Sequence, residues 1–355
     1  MKKISTYRLL LVITCLYTLA GSAQTFDWNV SARGFFDNSE GDDSYRATMT
    51  HSGIRLLPEV SVSTDNKMHS ITAGYDAYVQ FGDVKGYKDG SFVCYYGYQS
   101  PHLNFYFGSV PRREIFDVPD YILCDSIKYY RPNILGFAFQ YHNDEGEMNF
   151  FVDWTSVRTK EKREQFMAGA TGKFLLVKHL QLGIDGYYYH YALETDGLEM
   201  GHHIHDNLVV HPYVGISYNN FWFLDSLDVR GGVLANFDRD RGDNKWHTPT
   251  GFVGEVSAKY KRMYLRETIY TGGHQQQFGN QGFGEYYWGD TYVQTTMYSR
   301  TDLRYEIFRD KNISVNTGII LNATHQGLNW HQMLTLNACI NGKHRNKTAY
   351  DFDWY

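Results

Sequence analysis

A chain of 355 residues with 30 Tyr, 22 Phe and 7 Trp is too aromatic to be a disordered protein. Its mean hydropathy is nevertheless −0.47. Beyond the N-terminus no run of about 18 uncharged apolar residues occurs, which excludes a helical membrane protein. The formal net charge of −5, with scattered basic residues, leaves no nucleic-acid footprint.

Residues 1–23 read as a secretory signal. Lys2, Lys3 and Arg8 supply the positive start, Leu9–Ala20 the apolar stretch, and Gly21-Ser22-Ala23 the small residues that precede cleavage before Gln24. Loss of these three basic residues moves the net charge from −5 to −8. Cys15 leaves as well, so Cys94, Cys124 and Cys339 remain. That odd set excludes a complete disulfide framework, and there is no C-x-x-C pair.

Residues 24–355 carry one repeated pattern with no linker, so they are read as one domain. Alternation at period two marks strands with unlike faces, as in Ile71–Phe81, Leu103–Phe107, Met148–Trp154, Leu180–Asp185, Ile313–Ile319 and Leu334–Ile340. Short polar turns near 65–67, 100–101, 144–146, 178–179, 219–220, 261–262 and 309–311 alternate with longer stretches. Those stretches lie near 37–52, 83–90, 111–132, 156–164, 194–206, 239–248, 272–291 and 325–329. The rhythm predicts an all-β fold, a transmembrane antiparallel up-and-down β-barrel of about 16 strands, with roughly 14–18 compatible. The physical reason is that hydrocarbon offers backbone amides no partner, and only a closed sheet has no unpaired edge. Secreted β-sandwiches and propellers alternate too, but with shorter strands and no short–long rhythm. Tyr95-Tyr96, Tyr187-Tyr188-Tyr189, Trp222 and Tyr286-Tyr287-Trp288 are expected at the membrane interfaces.

With its leader, its rhythm and its terminal aromatic Tyr355, the chain resembles the porin-like outer-membrane barrels of Gram-negative bacteria. The resemblance covers residues 24–355 and is architectural. It implies an outer-membrane location, contact with membrane lipid, and a channel through which small hydrophilic solutes, saccharides among them, diffuse passively or with weak selectivity, in a monomer or a trimer. One departure is that the last clear strand ends near Asn341, ahead of a basic stretch and an aromatic tail. The alternative is a barrel without a channel, an adhesin or structural protein whose loops bind a partner or glycan.

Lumen-facing candidates are Arg33, Asp76, Asp153, Asp185, Glu255, Lys259, Arg300, Asp302, Arg304 and Glu306, the last four forming the densest charged stripe. They are either charge rings that bias ions or mutually paired residues of a solvated interior. Segment 111–132 resembles the inward third loop of porins and carries Arg112, Arg113, Glu114, Asp117 and Arg131. Its Ile115, Phe116, Val118, Ile122 and Leu123 suit packing against a wall, either as a constriction or as an external cap. Tyr286, Tyr287 and Trp288 end an amide-rich loop fit to stack on a sugar, or an ordinary surface loop. His202, His203 and His205 are weak metal candidates in a His-rich loop; no metal motif is present and no cofactor is expected.

An enzyme is not expected. No G-x-S-x-G, Walker or G-x-G-x-x-G element occurs, and hydrolytic candidates such as Ser299 or His331 show no third partner in the sequence.

Overall fold

The computed structural model describes residues 24–41, 44–46, 48–82, 89–112, 118–276 and 287–343. The segment 1–23, read as a signal, and the tail beyond 343 lie outside them. Sixteen antiparallel strands, each paired with its sequence neighbours, form a closed barrel. Closure is made by β1 (Gln24–Gly41) on β16 (Leu328–Asn341), in register from Asn29↔Asn341 to Gly41↔Asn329. The last strand therefore ends where the alternation ends, and no further hairpin is required.

Connections of two to four residues join β2 (Met49–Thr64) to β3 (His69–Gln80) and recur at every second junction, at the end where β1 starts and β16 stops. At the other end the connections run from three residues, between β15 (Ile313–Thr324) and β16, to 24, between β13 (Met263–Gly272) and β14 (Met297–Arg309). One turn differs from the sequence reading: β10 (His205–Phe221) runs past Asn219-Asn220, and the reversal comes after it. Asn220 and Trp222 both take the left-handed conformation there, with φ of 56°.

Alternation sorts the two faces. Along β1, Phe26, Trp28 and Phe36 face outward and are exposed, while Asp27, Asn29, Ser31, Arg33, Asp37 and Ser39 face inward and are buried. Leu265, Ile269, Leu334 and Leu336 continue the outward apolar surface on other strands, the surface that lipid requires. Gly108, at φ +127°, is a backbone necessity: a Cβ there would lie 2.2 Å from the Cys94 carbonyl oxygen. Among the described residues Cys94, Cys124 and Cys339 form no disulfide.

Toward the loop end, the interior holds a buried cluster of loop and wall side chains. From Val118 on, the connection between β5 (Leu103–Pro111) and β6 (Asn133–Asn143) folds into the lumen and carries the helix α1 (Asp125–Tyr130). Its Val118, Tyr121, Ile122, Leu123, Cys124 and Ile127 join one buried cluster with wall residues such as Val93, Val110 and Ile134. Removing each such aliphatic side chain from water contributes about 1.5–3 kcal/mol, so this loop is a seated plug.

The interior is also more aromatic than the alternation suggested. Tyr95, Tyr187 and Tyr189 lie in that cluster, with Trp288 and Tyr292 from the β13–β14 loop. They do not belong to an interface belt, because the plug gives inward-pointing rings an apolar partner.

Candidate functional site

Several predicted residues meet where the plug crosses the barrel. Arg112 pairs with buried Asp153 on β7 (Gly146–Ser156). Arg112 and Arg131 lie 5.8 Å and 5.2 Å from the ring of Trp288, and the amide of Cys124 donates to the Trp288 carbonyl at 2.7 Å. Trp288 is therefore held between two guanidinium groups and the loop backbone. Neighbouring Tyr287 donates its hydroxyl to Asp238 on β11 (Leu224–Asp240). Both rings are buried, so they brace the interior and present no stacking platform to solvent. Arg113, Glu114, Asp117 and Tyr286 lie outside the described residues.

The charged stripe on β14 divides in two. Arg300 reaches Asp120 on the plug and Asp290 on the β13–β14 loop, each at 3.1 Å, while the Nε of Arg304 donates to Asp302 at 2.8 Å. Glu306 stands apart, beside a register shift, and pairs with Arg309 at 2.6 Å. The charges thus neutralise one another and tie two loops to the wall, instead of forming a ring. At the turn end the lumen keeps a polar chamber of about 280 Å³ lined by Pro119, Glu147, Lys173, Asp185, Arg230 and Arg266.

The three predicted histidines do not converge. His202 pairs with Glu194, His203 is exposed, and buried His205 lies 2.8 Å from Asp238. Among the described residues no group of three or more His, Cys, Asp or Glu is arranged to hold a metal ion. His202 and His205 are each engaged by a separate carboxylate. In this loop the backbone amide of Glu194 itself, and after it His202, hold the Glu194 carboxyl below the usual carboxylate range.

A cluster missed in the sequence forms at the β1–β16 seam. Antiparallel register sets Ser39 opposite His331, and period two puts Asp37 on the same inward face as Ser39. The Nδ1 of His331 lies 3.1 Å from one Asp37 oxygen, and its Nε2 lies 3.5 Å from the Ser39 hydroxyl. An ionised carboxylate only accepts, so Nδ1 carries the proton and Nε2 presents its lone pair to the serine. The other Asp37 oxygen accepts from the Tyr129 hydroxyl of α1 at 3.1 Å. This nucleophile–base–orienting group order is that of serine hydrolases, and the long serine contact is ordinary without substrate. All three residues lie near the loop end, beside the three-residue β15–β16 connection. The sequence reading puts 37–52 in a connection, but β1 runs on to Gly41 and so carries Asp37-x-Ser39 on one inward strand face; the third member lies at a separation of 292 residues.

A family model described as lipid A 3'-O-deacylase-type matches residues 19–341. The chain belongs to the lipid A 3'-O-deacylase-type family. Among curated proteins, none matches it significantly. Among solved structures it is similar to OprD of Pseudomonas aeruginosa (TM-score 0.52, 6% identity, 89% of this chain and 95% of that one). A loop L8 deletion mutant of OmpT from Vibrio cholerae gives 0.51 at 10% identity, covering 90% and 100%. The outer membrane protein opdK of P. aeruginosa gives 0.50 at 10% identity, covering 90% and 99%. These likenesses show the fold, that of porin-like barrels of the bacterial outer membrane.

Membership of a deacylase-type family overturns the expectation of a non-enzyme. The sequence reading rests on absent hydrolase motifs and on the missing third partner of Ser299 or His331. Ser299 lies on the lipid-facing wall, where it and Thr301 donate to the two oxygens of Glu267, each at 2.5 Å. Among the described residues no imidazole is hydrogen-bonded to Ser299, whose hydroxyl is engaged by the Glu267 carboxylate. His331 has its partners on the inner wall instead.

Proposed function

We propose that the barrel is an outer-membrane O-deacylase of lipid A-type glycolipid, with Ser39 as nucleophile, His331 as general base and Asp37 as its orienting carboxylate. The observation that carries this reading is the Ser39–His331–Asp37 alignment, and the family match supports an ester of lipid A as substrate. Nε2 of His331 takes the hydroxyl proton as the Ser39 Oγ bonds to the ester carbonyl carbon. The imidazolium returns that proton to the leaving sugar oxygen as the ester C–O bond breaks. Water, deprotonated by the same nitrogen, then releases the fatty acid from Ser39. Asp37 stabilises the transient imidazolium. The height of the site, near the loop ends where outer-leaflet sugars lie, and the low β15–β16 connection favour access from the cell exterior.

The test is purified barrel incubated with lipid A in detergent micelles, with released fatty acid followed by mass spectrometry. Ser39→Ala is expected to lower the rate by at least about 10³-fold. An unchanged rate sinks the assignment.

The turn-end chamber favours a second role, conduction of small hydrophilic solutes. Under that reading, deleting residues 114–129 raises single-channel conductance in a planar bilayer, and an unchanged conductance refutes it.

A further inference from the structure

We propose that Tyr129 is a positioning residue that makes hydrolysis depend on the seated plug. This inference rests on the reading of Ser39, His331 and Asp37 given above. Asp37 is fully buried on β1, and an ionised carboxylate in that setting needs donors at both oxygens. His331 serves one and Tyr129 the other. The second donor does not come from the wall. It rides on α1, in a loop whose only covalent ties are at β5 and β6.

The seat of Tyr129 is built from the strands that carry the site. Its ring stacks on Phe35, two residues before Asp37, with centroids 4.4 Å apart. The Nε of Arg55 donates to its carbonyl at 2.8 Å, and the same guanidinium is held by Asp76 at 2.8 Å. The next residue, Tyr130, brings its hydroxyl to Nδ1 of His51, which stands opposite Asp37 in the ladder. Phe35, Tyr78, Tyr129, Ile320 and Met333 form a separate small buried cluster around this point. When the loop is seated, the carboxylate plane is fixed from two sides and the imidazole is aimed at Ser39. When it lifts, Asp37 keeps one donor and turns freely, and Nε2 loses its alignment. Geometric errors of this size at a base lower turnover without altering how substrate binds.

Tyr129→Phe keeps the ring and its stacking and removes only the hydroxyl. The experiment measures lipid A deacylation by wild type, Tyr129→Phe, Asp37→Asn and the double variant, with strand content checked by circular dichroism. The expected result is a fall in kcat of about tenfold for Tyr129→Phe with KM unchanged, the loss ascribed to one hydrogen bond on a charged group. In the Asp37→Asn background the same change costs nothing further, because the effect passes through the carboxylate. Unaltered kcat, a rise in KM alone, or an equal loss in both backgrounds overturns the proposal. Ser39→Ala, run alongside, fails independently: full activity there overturns the site assignment itself.

Discussion

Replacing Arg300 by Ala tests what holds the plug. The guanidinium lies 3.1 Å from Asp120 on the plug and 3.1 Å from Asp290 on the β13–β14 loop, and its side chain is only 4% exposed. Truncation leaves both carboxylates buried without that cation. Breaking a buried pair by removing one partner costs about 3–5 kcal/mol. The cost falls on the seating equilibrium and spares the barrel, because Asp120 and Asp290 lie outside the strands while the β14 ladder to β13 and β15 is backbone. At 1.4 kcal/mol per decade, the unseated population rises roughly 10²- to 4 × 10³-fold. The buried Ile122, Leu123 and Ile127 still oppose release, so the loop opens transiently and does not melt. Hydrogen exchange followed by mass spectrometry reads this directly: amides in 118–131 and 287–296 exchange faster by that factor, while peptides from β8 (Gln165–Val177) and β9 (Leu180–Tyr191) do not change. Arg300→Lys, which keeps the charge and loses the fork, falls between. Loop exchange within threefold of wild type would refute the idea that this cation latches the plug.

Two further outcomes are expected. Asp37→Asn can donate to Nδ1 of His331 and so favours the tautomer with the proton on Nε2, which disables the base; kcat should drop by about 10⁴-fold with little change in KM, and deacylation at even a tenth of the normal rate counts against the orienting role. Glu194 is held below the usual carboxylate range first by its own backbone amide and then by His202, so its stabilisation of loop 192–204 is present above the ordinary Glu range and is lost as pH falls through the lowered value. Limited proteolysis of that loop should therefore distinguish wild type from Glu194→Gln at neutral pH and not in acid; a difference that persists in acid would show that ionisation is irrelevant.

The barrel was legible in the sequence because a strand's two faces are set by residue parity. Phe26-Asp27-Trp28-Asn29 already states which side meets lipid. The short–long rhythm of connections then sets orientation, and a closed sheet follows from the need to pair every amide in hydrocarbon. Parity also placed Arg300, Asp302 and Arg304 inside. What they do there was not legible, since Asp120 and Asp290 come from loops with no period.

Only the tertiary structure brings the candidate site together. Ser39 and His331 occupy opposite ends of the chain and meet because the last strand pairs with the first. The register of that seam, to a single residue, determines whether His331 faces serine or lipid. Apolar residues in segment 111–132 hinted at a packed loop, but which wall it meets depends on the full circumference of the barrel. Tyr129 reaches Asp37 only because the plug spans the lumen. Local pattern fixes faces because side-chain direction repeats every two residues; partners across a closed sheet depend on closure, which no local window contains.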